Sequence, residues 1–286
     1  MPQTDVMDMV SELKQRGEAF VLATVVRTVA VTAAKAGAKA VIRPDGTITG
    51  GWIGGGCARG AVLKAAQDVL ADGQPRLISV QPPTELEAHG VAAGEVRDGV
   101  RFARNMCPSQ GTMDIFVEAV MPRPNLVICG SSPVAVAISR LAAVMGYAVT
   151  VCAPATEQSA FDLADTRIEG YALPVTDAAQ RFLIVSTQGR GDEAALRAIL
   201  DIDAGYKAFV GSRRKMAAIR EKLLADGASP DAIDAIKAPA GVDIGAISPE
   251  EIALSIMAEI TARRRHKFRE GRSLETISPP SRNHSL

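Results

Sequence analysis

The sequence Gly54-Gly55-Gly56-Cys57 combines a glycine loop with a thiol, between a strand-like run and a helix-like run. Because glycine has no Cβ, the backbone of such a loop can come close to a ligand. A cysteine at a helix N-terminus meets partial positive charge, which favours the thiolate form. The loop therefore predicts a thiolate beside backbone amides that can bind an anion. The alternative interpretation is a glycine bulge beside a small, buried cysteine.

Basic side chains precede this loop. If residues 35–43 are extended, Lys35, Lys39 and Arg43 share one face, because side chains alternate along a strand. The turn signal Pro44-Asp45-Gly46 then predicts a hairpin that leads to the glycine loop. We therefore expect the amides of Gly54–Gly56, together with Lys35 and Lys39, to hold a phosphate group.

The other cysteines are widely spaced. Cys107 lies before a turn and could face Cys57 across a cleft as a second thiol, although a structural role is the alternative. Cys129 and Cys152 lie at the ends of predicted strands, where core packing is expected. No pair has the C-x-x-C spacing of a structural zinc site.

A second candidate loop is Gly130-Ser131-Ser132, between a predicted strand and a predicted helix. A Rossmann phosphate loop has this position, and a helix N-terminus can bind phosphate. The G-x-G-x-x-G fingerprint is not intact, and the next strand ends at Ala153 without an acidic residue for a ribose hydroxyl. These features count against conventional NAD binding, so a Rossmann-like scaffold without a nucleotide is the alternative.

A third candidate loop is Gly211-Ser212-Arg213-Arg214, followed by Lys215. Three cations in the first turn of a helix oppose its dipole, and a bound phosphate would reverse that cost. The alternative is a solvated basic helix start. Loops that follow parallel strands gather at the carboxyl edge of the sheet, so we expect this loop near Gly130.

The surrounding pattern predicts two domains. Residues 1–121 mix helix and strand patterns, including a helix over 58–71 and a segment over 81–104 that indicates a long functional loop or an irregular lid. Residues 122–265 alternate strands with helices, which predicts a parallel sheet wound on both faces, and end in a helix over 249–264. Residues 266–286 are polar, and we expect a disordered tail.

Composition narrows the class of protein. The formal net charge is zero, which is atypical of a nucleic-acid-binding protein. No apolar run reaches the ~20 residues that span a membrane, and the polar N-terminus lacks a signal-peptide core, so we expect a cytoplasmic protein. No Ser-His-Asp, H-E-x-x-H or Walker A pattern is present. The chain therefore offers loops that hold anions but little acid–base machinery.

Several motifs, in order, resemble the XdhC/CoxI family. In the first half they are Thr24-Val25-Val26-Arg27-Thr28, Lys35-Ala36-Gly37-Ala38-Lys39 and Gly54-Gly55-Gly56-Cys57. In the second half they are Gly211-Ser212-Arg213-Arg214-Lys215, residues 238–246 and Ser248-Pro249-Glu250-Glu251-Ile252-Ala253. The resemblance runs from about residue 10 to 265, and it implies an N-terminal α+β domain of the XdhC/CoxI type followed by a Rossmann-like domain.

The resemblance also implies a function. Such proteins are accessory factors for molybdenum enzymes of the xanthine dehydrogenase and carbon monoxide dehydrogenase type. They bind the molybdenum cofactor, hold it while its terminal sulfur is installed, and insert it into the apo-enzyme. The implied partners are an apo molybdenum hydroxylase, a cysteine desulfurase and a second copy in a homodimer. Cys57 would be the soft contact to molybdenum or to a persulfide sulfur, either of which suits a thiolate. The protein would be a chaperone rather than an enzyme.

Two other functions stay open. The family often has a glycine-rich phosphate loop and an aspartate where this chain has Gly130-Ser131-Ser132 and Ala153. An NAD(P)-dependent oxidoreductase that uses the Rossmann-like half is the first alternative, and these departures speak against it. A non-catalytic module that recruits a cysteine desulfurase through its basic tail is the second.

Overall fold

The computed structural model describes residues 5–173 and 180–270, with side chains as far as residue 265. The chain divides into two compact units, the first ending at Pro122 and the second spanning Arg123–Arg269. The elements of the first unit are α1 (Val6–Gln15), β1 (Phe20–Val29), β2 (Lys39–Ile42), β3 (Ile48–Gly51), α2 (Gly56–Asp72), β4 (Arg76–Gln81), α3 (Pro83–Ala88), β5 (Val96–Arg97), β6 (Val100–Arg104) and β7 (Thr112–Val120).

The first unit is a seven-stranded mixed sheet in the order β3-β2-β1-β7-β4-β6-β5. Only β4 and β6, among its described pairs, run parallel. Helix α2 packs on one face, since Val62, Ala65, Ala66 and Val69 recur at helical spacing and are buried against the sheet. Helix α1 covers part of the other face through Val10 and Leu13.

Two expectations for this unit were wrong. Residues 81–104 hold α3, β5 and β6 rather than a long loop or lid. Their apolar signal is weak because the strands at this edge are short and carry several arginines. The stretch 35–43 is not continuously extended, because residues 35–38 form a turn and β2 begins only at Lys39. Gly37 takes a left-handed φ of 91°, which ends any strand there.

The elements of the second unit are β8 (Asn125–Cys129), α4 (Pro133–Val144), β9 (Ala148–Ala153), a 3₁₀ helix (Ala155–Ala160), β10 (Thr166–Glu169), β11 (Arg181–Val185), α5 (Asp192–Ile199), β12 (Tyr206–Phe209), α6 (Arg213–Ala225), α7 (Pro230–Asp234), β13 (Ile236–Lys237) and α8 (Pro249–Glu270). The six strands are parallel, in the order β10-β9-β8-β11-β12-β13. Helices α4 and α8 bury one face, and α5, α6 and α7 bury the other.

The predicted fold class is therefore confirmed: an α+β unit followed by a Rossmann-like parallel sheet. Helix α8 continues to Glu270 and so covers residues 266–270 of the stretch predicted to be a disordered tail. Residues 271–286 of that tail lie outside the described residues. Within the described part of the chain, no helix is both long and apolar enough to cross a membrane.

Candidate functional site

The predicted glycine loop does end at a helix N-terminus. Helix α2 begins at Gly56, and its N-cap, Gly55, makes no side-chain capping hydrogen bond. The first turn contains no acidic residue. The first amides of a helix have no partner within the helix, so this terminus keeps both its N–H donors and its partial positive charge for another group.

Cys57 is the second residue of α2, and its half-buried side chain packs against the core of the first unit. Its Sγ accepts a hydrogen bond of 3.3 Å from the backbone N–H of Met106. This hydrogen bond fixes the position of the sulfur, which is a soft donor atom. Cys57 therefore has the surroundings of a soft ligand or nucleophile.

Cys57 and Cys107 line the same pocket. The pocket has a volume of about 190 Å³, and its lining residues are Thr32, Ala33, Gly55, Gly56, Cys57, Ala58, Asn105, Met106, Cys107, Ser109 and Met113. Cys107 is exposed. A hydrogen bond from the Ser109 hydroxyl, with a second from its backbone N–H, lowers the pKa of Cys107 below the usual thiol range.

Buried Asn105 fixes the wall of this pocket and was missed from the sequence. Its Nδ2 donates to the Gly111 carbonyl over 2.6 Å, and its Oδ1 accepts from the Cys107 N–H over 2.9 Å. Its backbone N–H donates to the carbonyl of Gln81 over 2.6 Å. Asn105 thereby ties the Cys107 turn to β4. The sequence signal for this role is the position of the asparagine two residues before Cys107. At this spacing its side chain can accept an Asx-type hydrogen bond from the Cys107 N–H.

The two lysines predicted to join the glycine loop are not brought to it. Lys39 Nζ donates to Thr24 Oγ1 over 3.1 Å, and these two residues are register partners. Their strand neighbours Ala23, Val25 and Ala40 pack in the core beneath α2, so Lys39 lies on the opposite face of the sheet. Lys35 is exposed in the turn before β2. Neither lysine is among the described residues that line the Cys57 pocket.

Both serine side chains of the loop Gly130-Ser131-Ser132 are hydrogen-bonded within the protein. Ser132 caps α4 by accepting from the Ala135 N–H over 3.1 Å, and its Oγ lies 2.6 Å from Ser186 Oγ. Gly130 has a φ of 119°, and a Cβ there would lie 2.3 Å from the Ser186 carbonyl oxygen. The glycine is therefore required by the close approach of Ser186, which follows β11.

Glu157 contacts this loop and was missed from the sequence. Ser131 Oγ donates to its carboxylate, which also pairs with Arg190 over 3.1 Å. A carboxylate at the place of a phosphate repels a phosphate, and the Ser131 hydroxyl is already committed. Glu157 lies in the 3₁₀ turn that follows β9, beyond the strand end at Ala153 where the sequence has no acidic residue.

The basic start of α6 is partly neutralised. Ser212 caps the helix by accepting from the Lys215 N–H over 3.2 Å, and Lys215 Nζ lies 2.6 Å from Asp192 Oδ2. Burial raises the pKa of Asp192, but hydrogen bonds from Lys215 and Thr187 outweigh it and leave that pKa below its usual range. Arg213 and Arg214 are exposed. Gly211 is needed because a Cβ there would lie 2.3 Å from the Phe209 ring.

The carboxyl edge of the parallel sheet has a pocket of about 250 Å³, lined by Ser132, Pro133, Val134, Ser186, Gln188, Val210, Ile247, Pro249 and Ile252. Ser132 lines this pocket, whereas the basic residues at the start of α6 are not among its described lining residues.

Cys129 and Cys152 are fully buried below this edge, as expected for core residues. Among the described residues, no cluster of three or more His, Cys, Asp or Glu side chains could hold a metal ion. Contact of Cys57 with molybdenum stays a prediction.

Comparison with known families agrees with this architecture. The model of the XdhC and CoxI family matches residues 13–81, and that of the XdhC Rossmann domain matches residues 126–260. The chain belongs to the XdhC and CoxI family. The Cys57 loop lies within the first matched region, and the Gly130 and Gly211 loops lie within the second.

Two curated proteins are similar to this chain in sequence. An uncharacterised protein of Escherichia coli K12, YqeB, is 29% identical over 231 residues, covering 78% of this chain and 40% of the relative. A probable xanthine dehydrogenase subunit of Bacillus subtilis 168 is 30% identical over 162 residues, covering 54% of this chain and 47% of the relative. The chain thus spans less than half the length of either relative.

A solved structure also matches over nearly its whole length. It is described as a xanthine dehydrogenase from Bacillus halodurans, with a TM-score of 0.44 and 19% identity, covering 96% of this chain and 98% of that chain.

Proposed function

We propose that this protein is an accessory factor that binds the molybdenum cofactor and delivers it to an enzyme of the xanthine dehydrogenase type. Membership of the XdhC and CoxI family suggests the accessory role, and one curated relative is named as part of a probable xanthine dehydrogenase. The observation that carries the proposal is the Cys57 pocket, where an uncapped helix N-terminus and a hydrogen-bonded thiol face the same space.

The residues of the pocket fit one end of the cofactor. The free amides at the start of α2 would bind its phosphate group, and Cys57 would offer a soft sulfur to molybdenum or to a sulfur bound to it. A volume of about 190 Å³ is below the ~300 Å³ typical of sites that enclose a whole small molecule, so the pocket would take only part of the cofactor. When bound, the cofactor supplies the molybdenum chemistry of the enzyme that receives it.

The chain's own residues would orient and protect the bound end. The Met106 N–H holds the Cys57 sulfur in place, and Asn105 holds the Cys107 turn against β4. The lowered pKa of Cys107 gives this second thiol more thiolate at neutral pH. We therefore place Cys107 beside Cys57 as the thiol at the open side of the pocket.

The finer parts of the proposal concern its partners. The protein would hold the cofactor while a cysteine desulfurase supplies the terminal sulfur, and would then meet the apo molybdenum hydroxylase. It would act as a homodimer and without turnover of its own. The alternative of an NAD(P)-dependent oxidoreductase has less support, since Glu157 binds Ser131 at the place of the phosphate.

The test is co-expression with the cofactor pathway, followed by molybdenum and pterin analysis of the purified protein. Wild type should retain both, and Cys57→Ala should retain at least about tenfold less, a difference of ~1.4 kcal/mol. Gly55→Asp should also lose cofactor, because it places a carboxylate on the free α2 amides.

The matched control is Cys129→Ala, which removes a cysteine from the core of the second unit. Folded protein of this variant should carry cofactor at the wild-type level. If wild type, Cys57→Ala and Gly55→Asp carry equal amounts of cofactor, the Cys57 pocket is not the cofactor-binding site.

A further inference from the structure

One short piece of backbone holds both sulfur atoms of the Cys57 pocket. The Cys107 turn, residues 105–110, lies between β6 and β7. Near its start, the Met106 N–H donates to Cys57 Sγ over 3.3 Å. Near its end, the hydroxyl and the backbone N–H of Ser109 donate to the sulfur of Cys107. The amide that contacts the Cys57 sulfur therefore belongs to the residue next to Cys107, and both thiols line the same space.

The fold fixes the conformation of the Cys107 turn. The Gln110 N–H donates to the Cys107 carbonyl over 3.1 Å, which closes the turn. Asn105 is only 6% exposed, and its Oδ1 accepts from the Cys107 N–H over 2.9 Å. Gln110 takes a left-handed φ of 51° and forms a bridge with Val31. Contacts within the protein thus determine the position of Cys107.

The two thiols differ in how a partner can reach them. Cys107 is exposed, whereas Cys57 is half-buried and packs against the core beneath α2. A pocket of about 190 Å³ admits a small chemical group but no folded protein. A sulfur atom carried on another protein therefore meets Cys107 before it meets Cys57.

The surroundings of Cys107 suit nucleophilic attack. The hydrogen bonds from Ser109 lower the pKa of its thiol, so more of it is thiolate at neutral pH. The thiolate is the form that attacks a sulfur atom in an S–S bond. Exposure and thiolate character together are typical of a cysteine that exchanges sulfur with a partner.

We propose that Cys107 accepts the outer sulfur of a donor persulfide and passes it to Cys57. The Cys107 thiolate attacks the outer sulfur of the donor, R–S–SH. The S–S bond of the donor breaks, R–S⁻ leaves, and Cys107 becomes a persulfide. Deprotonated Cys57 then attacks the outer sulfur of this persulfide, which leaves the sulfur on Cys57 and restores the Cys107 thiolate. Each step replaces one S–S bond by another, so no oxidant or reductant is consumed.

This inference deepens the function proposed for the Cys57 pocket and rests on it for the fate of the sulfur. In that function, Cys57 presents the sulfur to the molybdenum cofactor. The exchange between Cys107 and Cys57 itself needs only the two thiols and a persulfide donor. It can therefore be measured without the cofactor.

The test treats the full chain, free of cofactor and of oxygen, with glutathione persulfide. This tripeptide donor is too large to enter a pocket of about 190 Å³ as a whole. Peptide mass spectrometry after alkylation reads the sulfur added to each cysteine over time. Wild type should gain sulfur first at Cys107 and then at Cys57. In Cys107→Ser, the rate at Cys57 should fall at least about tenfold, because a hydroxyl cannot accept the sulfur.

Cys57→Ser tests the direction of transfer. Cys107 of this variant should gain sulfur at the wild-type rate and keep it longer than in wild type, because the next acceptor is missing. The matched control is Cys129→Ala, which removes a buried thiol of the second unit. Its Cys107 and Cys57 should gain sulfur as they do in wild type.

The proposal is overturned if Cys107 gains no sulfur, or if Cys57 gains sulfur at the wild-type rate in folded Cys107→Ser. It is also overturned if the persulfide on Cys107 is equally short-lived with and without Cys57. A protein that loads cofactor but gains no sulfur contradicts this inference alone. A protein that transfers sulfur from Cys107 to Cys57 but loads no cofactor contradicts only the function proposed for the pocket.

Discussion

The loops that precede α4 and α2 both contain glycine beside small residues. At α4, Ser132 caps the helix and Ser131 is bonded to Glu157, so the loop has little left to offer a ligand. At α2, Gly55 provides no side-chain cap and Cys57 faces a pocket. A strand–glycine–helix pattern therefore specifies a possible ligand position, whereas the neighbouring side chains decide whether a ligand can reach it.

The largest expected difference between the two loops concerns stability. Gly130→Ala should lower the free energy of unfolding by about 3 kcal/mol or more, because of a left-handed φ and a clash with the Ser186 carbonyl. Gly55→Ala should cost less than about 1 kcal/mol, since nothing lies within 4 Å of its Cβ position. Urea unfolding of both variants measures this. Similar costs at the two positions would contradict the contrast.

A smaller effect should come from the cap of α4. Ser132→Ala removes the acceptor of the Ala135 N–H and the partner of the Ser186 hydroxyl, so we expect a loss of about 1–2 kcal/mol. The double variant Ser132→Ala/Ser186→Ala separates the two contributions in unfolding experiments. It should cost less than the sum of the two single variants, since the hydroxyls share one hydrogen bond. Strict additivity would show that the pair contributes nothing.

Acid should weaken the Asp192–Lys215 pair. The pKa of Asp192 is lower in the folded protein than its usual ~3.9, so its contribution is present above about pH 4 and is lost as the pH falls through the folded pKa. The stability difference between wild type and Asp192→Asn should therefore shrink below about pH 4 in urea titrations.

Asp234→Asn is the control for this pH dependence, because Asp234 pairs with Arg220 at the surface of the same unit. Its effect on stability at neutral pH should be smaller, since exposed ion pairs are screened by solvent. An Asp192→Asn deficit that persists unchanged at low pH would show that the carboxylate charge is not its cause.

The smallest effect should appear in the reactivity of Cys107. Hydrogen bonds from Ser109 lower the pKa of this thiol, so Ser109→Ala should move its alkylation profile to higher pH. The measurement is the iodoacetamide rate against pH in a Cys57→Ser background, read by peptide mass spectrometry. Ser11→Ala, on the distant surface of α1, should leave the profile unchanged. A shift of the same size in that control would rule out Ser109 as the cause.

Local pattern was enough to predict much of the fold. The apolar spacing of Val62, Ala65, Ala66 and Val69 places α2 within two residues of its observed ends. The alternation of strands and helices after residue 125 predicts the parallel sheet, because each parallel pair needs a crossover. The loop with Cys57 at a helix start follows from the same local signals.

The parts that were missed depend on contacts between distant residues. Glu157 reaches Ser131 across 26 positions, and Met106 reaches Cys57 across 49. The prediction that Lys35 and Lys39 share a face with the glycine loop was wrong because Gly37 turns the chain before β2. Lys39 is in register with Thr24, on the sheet face opposite α2. Periodicity predicts which face a strand residue takes only when the strand boundaries are right.

The most direct measurement of the central claim is the alkylation rate of Cys57 in protein purified with and without bound molybdenum cofactor. Peptide mass spectrometry reads Cys57, Cys107 and buried Cys129 in the same samples. Bound cofactor should lower the alkylation rate of Cys57 at least about tenfold, while Cys129 should stay equally unreactive in both samples. If Cys57 reacts at the same rate in the loaded and the cofactor-free protein, the cofactor does not bind at this loop.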